Sequence, residues 1–537
     1  MTEDKPAACR RYRIAGLAVA AGLAVAGPAA SETLEGALAK AYGGNPQLNA
    51  SRAGVRATDE NIAIAKSGYR PTVSVEADLG LQYYEGNGGG GTSTAGSALG
   101  STSSSLLGGT SSGGLGTTTG VSTGISSGTT GVSTGGTGSS SLGNTSGSSG
   151  TSGSGGTSIT STGSNTFRQT TLPGGAGITV TQPVFDGFRT DNNTRRAEST
   201  VYSQREILRF TEMSVLYSAV QSYMNVLSNT ATLELNRNNV EVLEEQLRQT
   251  RDRFNVGEVT RTDVAQAEAR LAGARSQVSV AESALRTSIG TYRQNIGVEP
   301  RQLAPGRPLD RYVPANLDAA IAIGLQEHPQ ILSALHAVDA AEAQVKVYEG
   351  VLYPTVSLSG SVNQRYDQQI ANSNAVVAAI VGRVTIPLYQ GGQEYAQIRQ
   401  AKETVGQTRI QADQVRDQVR AQVVDFWGRL EAAKAQVIAA QAQVQANEVA
   451  LNGVREEARV GQRTTLDVLN AQQELLNARV NLITAQRDRV IYSYGVVQAI
   501  GRLTARYTAV PVAIYSAKTH SDQVKDLWYG VRSPDGR

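Results

Sequence analysis

Asp263 and Asp467 are the acids in this chain whose setting most clearly gives a carboxylate a task. Each follows a Thr by three positions, as Thr260-x-x-Asp263 and Thr464-x-x-Asp467, and each opens a run with apolar residues at helical spacing. A hydroxyl three residues ahead of an acid can accept from a free helix N–H while the acid bonds back, so both pairs predict capped helix starts. Just upstream, Gly257 and Gly461 can take the positive φ that ends a preceding helix. The surrounding text is written twice. FNVGEVTRTDVAQAEARLAGAR (Phe254 to Arg275) and ARVGQRTTLDVLNAQQELLNAR (Ala458 to Arg479) align at a constant offset of 204, and the match runs on to Ile296-Gly297 against Ile500-Gly501. An internal duplication outranks other sequence signals.

Other chemistry is sparse. His328, His336 and His520 have no metal-ligand spacing, and no GxxxxGK[ST] loop is present. Cys9, the sole cysteine, precedes an apolar leader run and leaves no disulfide or thiolate metal site downstream. No nucleophile-base pair stands out, and the acids are spread along heptads as solvated faces. These residues give no enzyme, no metal and no cofactor. A net charge of +3 over 537 residues gives no reason to expect nucleic acid.

The elements that carry the twin turns follow from periodicity. Arg10, Arg11 and Arg13, the apolar run Ile14 to Ala26 and the small residues after it predict an export signal over 1–30, cut near Ala29 or Ala30. No later segment offers about 18 uninterrupted apolar residues, so no helical membrane span is expected. From Phe188 to Phe254 and from Gly392 to Ala458, 67 residues run without proline, with apolar residues such as Val240, Leu243 and Leu247 at heptad-like spacing. Each would be a rod about 100 Å long at 1.5 Å per residue, and must pack against others. Return helices are expected from Thr262 to Gly297 and Leu466 to Gly501, and further helices from about Asn45 to Tyr69 and His328 to Leu352.

Strands are expected where the period drops to two. Val73, Val75, Ala77, Leu79, Leu81 and Tyr83 alternate with polar residues or glycine, as do Ile178 and Val180, then Val356, Leu358 and Val362, then Val384 and Ile386. Each half thus carries one hairpin with arms long enough to cross a bilayer when tilted. The first hairpin holds 79 extra residues, and the tract Gly86 to Phe167, rich in Ser, Gly and Thr and free of charge, reads as a mobile extracellular loop. The expected organisation is a first repeat over 31–297, a linker at 298–315, a second repeat over 316–501 and a tail at 502–537. Four strands cannot close a useful barrel and open edges are forbidden in lipid, so the chain must oligomerise; three copies give twelve strands.

The duplicated VGEVTRTDV and VGQRTTLDVLNA turns, with the PTVS and QPVFDG junctions, resemble the TolC family of outer-membrane efflux and secretion channels. The resemblance spans nearly all of the chain outside the leader, the Ser/Gly tract and the tail. It implies an α+β membrane protein: a homotrimer with a twelve-stranded transmembrane barrel continued by a twelve-helix periplasmic barrel, embedded in outer-membrane lipid. The implied partners are a periplasmic adaptor and an inner-membrane transporter, ABC or proton-driven, passing proteins or small molecules. The implied docking turns are Val256, Gly257 and Glu258 with Val460, Gly461 and Gln462. In the family an Arg and a Tyr of the second turn bond a Thr-Asp pair of the first; here Arg463 and Thr262-Asp263 match, while the Tyr position is Ala458. Asp467 is implied as a ring of three carboxylates at the constriction, and the family's second acidic position is Asn470, which leaves one ring in place of two. Competing readings are a periplasmic adaptor, which resembles one helical hairpin between small β-domains, and a surface-display protein, which leaves the rods unexplained.

Overall fold

The computed structural model describes residues 31–88, 165–367, 373–534 and 536. The leader and most of the Ser/Gly/Thr tract, and with them the expected signal and extracellular loop, lie outside the described residues. The chain divides into two units. One comprises 1–74, 178–362 and 378–537; the other comprises 75–177 and 363–377.

In the larger unit, two short helices come first, α1 (Leu34–Gly44) and α2 (Pro46–Lys66). Asn45 joins them: its Oδ1 accepts from the N–H groups of Gln47 and Leu48, and Pro46 fits the first helical position, where no N–H is needed. Two helices of 67 residues, α3 (Arg189–Asn255) and α7 (Gln393–Arg459), form the rods. Their partners are α4 (Arg261–Ile296) and α8 (Thr465–Ala499). A second pair, α5 (Leu317–Glu327) and α6 (Pro329–Glu349), is joined at His328 as α1 and α2 are joined at Asn45. A last helix, α9 (Ala517–Val524), lies in the tail. The sequence expectation had no α1, α5 or α9. Of these, α1 and α5 were within reach of local signals, since Thr33 and Asn316 cap them with their side chains, whereas the start of α9 has no side-chain cap.

The main core lies where α1, α3, α4 and α8 meet, around the fully buried Tyr223, Tyr292, Leu38, Met213 and Leu216. Segment 298–315 is packed into it through Leu303, Leu309 and Val313, and Tyr223 donates to the carbonyls of Glu32 at 2.8 Å and Ala304 at 2.6 Å. Tail residues Leu503, Ala505 and Val510 complete the same core. Among the described residues, no helix is long and apolar enough to cross a membrane.

Among the described residues there are six strands: β1 (Thr72–Leu79), β2 (Gln82–Gly88), β3 (Asn165–Thr171), β4 (Gly174–Phe185), β5 (Thr355–Tyr366) and β6 (Asn374–Thr385). Their hydrogen-bonded order is β1-β4-β5-β6, with β2 and β3 as a separate antiparallel ladder from Gln82 opposite Thr171 to Gly88 opposite Asn165. The first hairpin was expected to carry an unbroken strand from Val73 to Tyr83, and this is corrected. Pro173 has no N–H to continue the ladder, Gly80 donates instead to its carbonyl at 2.9 Å, and the arms break at Gly80-Leu81 and Leu172-Pro173 before pairing again.

The twin helical turns as a candidate docking and gating site

Both rods end in the same way. The N–H of Gly257 donates to Phe254 O at 3.0 Å and that of Glu258 to Arg253 O at 2.9 Å; Gly461 and Gln462 repeat this with Ala458 O at 3.2 Å and Glu457 O at 2.9 Å. The glycines sit at φ +82° and +81°, in the left-handed region where a side chain would be strained, with open space where a Cβ would stand. Val256 and Val460 are 73% and 70% exposed, so each turn presents an apolar residue at its apex.

The return helices start on reciprocal caps. Asp263 Oδ2 accepts from the Thr260 N–H at 2.9 Å and its hydroxyl at 2.7 Å; Asp467 Oδ2 accepts from Thr464 at 3.0 and 2.9 Å. In return, the Asp263 and Asp467 N–H groups donate to the Thr hydroxyls. The Thr464 N–H and then its hydroxyl hold the Asp467 carboxyl below the usual carboxylate range, with a smaller contribution from Arg463. Asp467 is therefore an anion at neutral pH whose oxygen is already committed to a cap.

The expected bond from Arg463 to Asp263 is not made within the chain. Arg463 Nε donates instead to Glu457 Oε2 at 2.8 Å, across its own turn, and Asp263 serves Thr260. Thr262 is exposed, as are Glu258, Gln462 and Asn470, while Ala458 packs against the small cluster of Leu451, Val468 and Leu475. The first turn has its own ion pair of opposite order, Arg253 Nε to Glu258 at 3.8 Å. Glu457 and Arg253 carried no sequence signal beyond being charges near a helix end.

What joins the two hairpins is a residue that sequence reasoning passed over. Arg270 Nη2 of α4 donates to Asn470 Oδ1 of α8 at 2.7 Å. Below that bond, Leu469 is buried among Leu243, Leu247, Ala267, Leu271 and Ala274, so the tips of the two hairpins share a small apolar contact. On another side, a groove of about 520 Å³ runs between α3 and the α7–α8 turn, lined by Glu245, Arg253, Arg455, Arg459, Thr465 and Gln472 among others. Gln472 is 7% exposed and both its amide atoms are without a partner in the chain. Among the described residues, no three His, Cys, Asp or Glu side chains are grouped to hold a metal. The arrangement suits mechanical and electrostatic work: rigid capped turns, exposed apices and a breakable polar tie.

The outer membrane efflux protein family model matches residues 141–297 and 321–502, which include both turns. The chain belongs to that family. It is 38% identical over 534 residues to the outer membrane efflux protein BepC of Brucella suis, covering 99% of this chain and 98% of that protein. It is 24% identical over 348 residues to the outer membrane protein TolC of Escherichia coli, covering 61% of this chain and 69% of that protein. Among solved structures, the CmeC outer membrane channel of Campylobacter jejuni matches with a TM-score of 0.67 at 14% identity, covering 92% of this chain and 89% of that one. Family membership bears out the resemblance carried by the turns. It places the chain among outer-membrane efflux channels, in the outer membrane and extending into the periplasm.

Proposed function

We propose that three copies of the chain close into one exit duct of a tripartite export system, with the twin turns as its adaptor-docking and gating end. The order β1-β4-β5-β6 carries this reading, because it leaves β1 and β6 as unpaired edges. An unpaired edge in hydrocarbon costs several kcal/mol per lost hydrogen bond, so β6 of one copy pairs with β1 of the next until the ring closes. Three copies bring twelve strands, and their helical hairpins form the periplasmic tunnel. The threefold axis then gathers six turns at the tip.

At that tip, a periplasmic adaptor meets the exposed apices, Val256-Gly257-Glu258 and Val460-Gly461-Gln462, and the groove that Gln472 lines. Closure rests on the tie from Arg270 to Asn470, with Arg463 held in its own turn by Glu457 until a partner competes for it. Three Asp467 carboxylates form a single acidic ring. Full-length likeness to a protein named for efflux supports small molecules as cargo, driven by an inner-membrane transporter. A scan of cysteine pairs, one in β1 and one in β6, tests the assembly: disulfide-linked trimers that conduct in planar bilayers are expected, and conducting monomers without cross-links would refute it. Deletion of the gene separates the cargoes, since raised drug sensitivity with an unchanged set of secreted proteins is expected and the reverse would make the duct a protein exporter.

A further inference from the structure

The tail is fastened where the helical unit turns into strand. Its helix α9 lies on α2, with His520 Nδ1 at 3.2 Å from a carboxylate oxygen of Asp59, which is fully buried and also accepts from Arg205 at 3.3 Å. Beyond α9, Lys66 pairs with Asp526 at 2.8 Å, and Arg70 Nη1 donates to the Leu527 carbonyl at 2.6 Å. The Arg70 guanidinium also stands 4.9 Å from the centre of the Trp528 ring. Arg70 is two residues ahead of β1, whose Val73 is 65% exposed. These contacts hold the tail against the junction, yet Trp528, Tyr529 and Val531 remain 65%, 93% and 101% exposed.

Polar contacts thus hold the tail in place while its large apolar side chains stay in the open. Trp and Tyr carry an apolar body and a polar end, which suits the headgroup level of a bilayer better than water. The junction is where the chain leaves the helices for strands with exposed Val73, Val184 and Val384, so the tail is continuous with the apolar faces that meet lipid. Arg532 follows Val531 and supplies a cation for lipid phosphates. No cysteine lies downstream of the leader to take a lipid anchor. We propose that Leu527 to Arg532 form an interfacial anchor, which seats Trp528 and Tyr529 among phospholipid headgroups of the leaflet facing the periplasm.

The anchor rests on the barrel reading above, and the test separates the two. Trp427 and Trp528 are the only tryptophans, so a Trp427→Phe trimer reports Trp528 alone. It is reconstituted in phosphatidylethanolamine and phosphatidylglycerol vesicles whose acyl chains are brominated either near the headgroup or near the methyl end. Loss of most Trp528 emission with shallow bromines, and little loss with deep ones, is expected. A Val384→Trp probe lacking both native tryptophans reports the strands. Quenching of that probe without quenching of Trp528 would overturn the anchor alone; quenching of neither would overturn the barrel reading with it. Emission that is blue-shifted but unquenched would place Trp528 against a second copy of the chain, and also overturns the proposal. If Trp427→Phe does not assemble, the difference between the native trimer and Trp528→Phe gives the same reading.

Discussion

His328 ties stability to pH at a single atom. Its Nδ1 accepts from the Gln330 N–H at 3.3 Å and so caps α6, while its backbone N–H closes α5 on Gly324 O. The residue is 1% exposed, with Phe210 beside the ring. Burial pushes the imidazole down to about 4, and the charge of Arg209 adds to the shift. Because the folded value lies below the unfolded one, the unfolded chain takes up the proton first as pH falls. Stability from the neutral ring is thus complete above about pH 6.5 and drains away toward pH 4. The full difference is roughly 3 kcal/mol, of which about 2.5 kcal/mol is lost by pH 4.5. Protonation also ends the cap, since Nδ1–H cannot accept.

The matching position of the first half shows how to remove the titration and keep the cap. Asn45 caps α2 with Oδ1 at 2.9 Å from the Gln47 N–H. His328→Asn should therefore hold α6 at all pH values. Amide hydrogen exchange at Gln330 to Leu332 in the intact, assembled protein, corrected for intrinsic rates, reads the opening equilibrium at pH 7 and 4.5. The native chain should lose protection over that interval by a factor larger than the variant's, on the order of 50-fold. Equal losses in the two proteins would show that the buried ring does not carry the effect.

Gly495→Ala would place a Cβ 2.5 Å from the Phe426 ring inside the α7–α8 packing, and should lower the protein's stability to heat or denaturant by about 1–3 kcal/mol. Arg270→Ala removes the tie to Asn470, an exposed bond worth about 1 kcal/mol or less, so resting conductance in planar bilayers should rise by up to about fivefold. Arg463→Ser breaks only a bond within its own turn and should change that conductance less. Asp467→Asn should weaken cation selectivity and relieve block by trivalent cations, read as single-channel current against blocker concentration. An unchanged blocking curve would leave Asp467 a helix cap and nothing more.

The parts of this molecule written in local chemistry could be read from the sequence. Glycine at a helix end and Thr-x-x-Asp at a helix start act within a few residues, so the turns at Gly257 and Gly461 could be read before any packing was known. The 67-residue helices begin one residue after the expected starts, because Phe188 and Gly392 sit in left-handed turns just outside them. Alternation misled at Gly80-Leu81, since it continues through the break; only the facing Pro173, more than ninety residues away, stops the ladder. The polar tie was illegible for a related reason. Nothing near Arg270 in sequence points to Asn470, and Arg463 could be assigned to Asp263 only by analogy, whereas Glu457 lies closer across its own turn.

The distribution of packing explains why the turns need such explicit caps. Around Tyr223 and Tyr292 the helices bury a large cluster of aromatic and aliphatic side chains. Toward the turns the buried clusters shrink to Leu243, Leu247, Leu271 and Leu469 with alanines on one side, and Leu451, Val468 and Leu475 on the other. Small apolar contacts and exposed polar ties cost little to break, so displacement of one hairpin tip against the other falls at the low end of the molecule's local stabilities. A helix end under such motion would fray unless its free N–H groups were satisfied locally. The Thr260–Asp263 and Thr464–Asp467 boxes do this within one turn and move with it. Separating a rigid turn from a weakly held neighbour suits the proposed gate, in which the hairpins would part while each keeps its own fold.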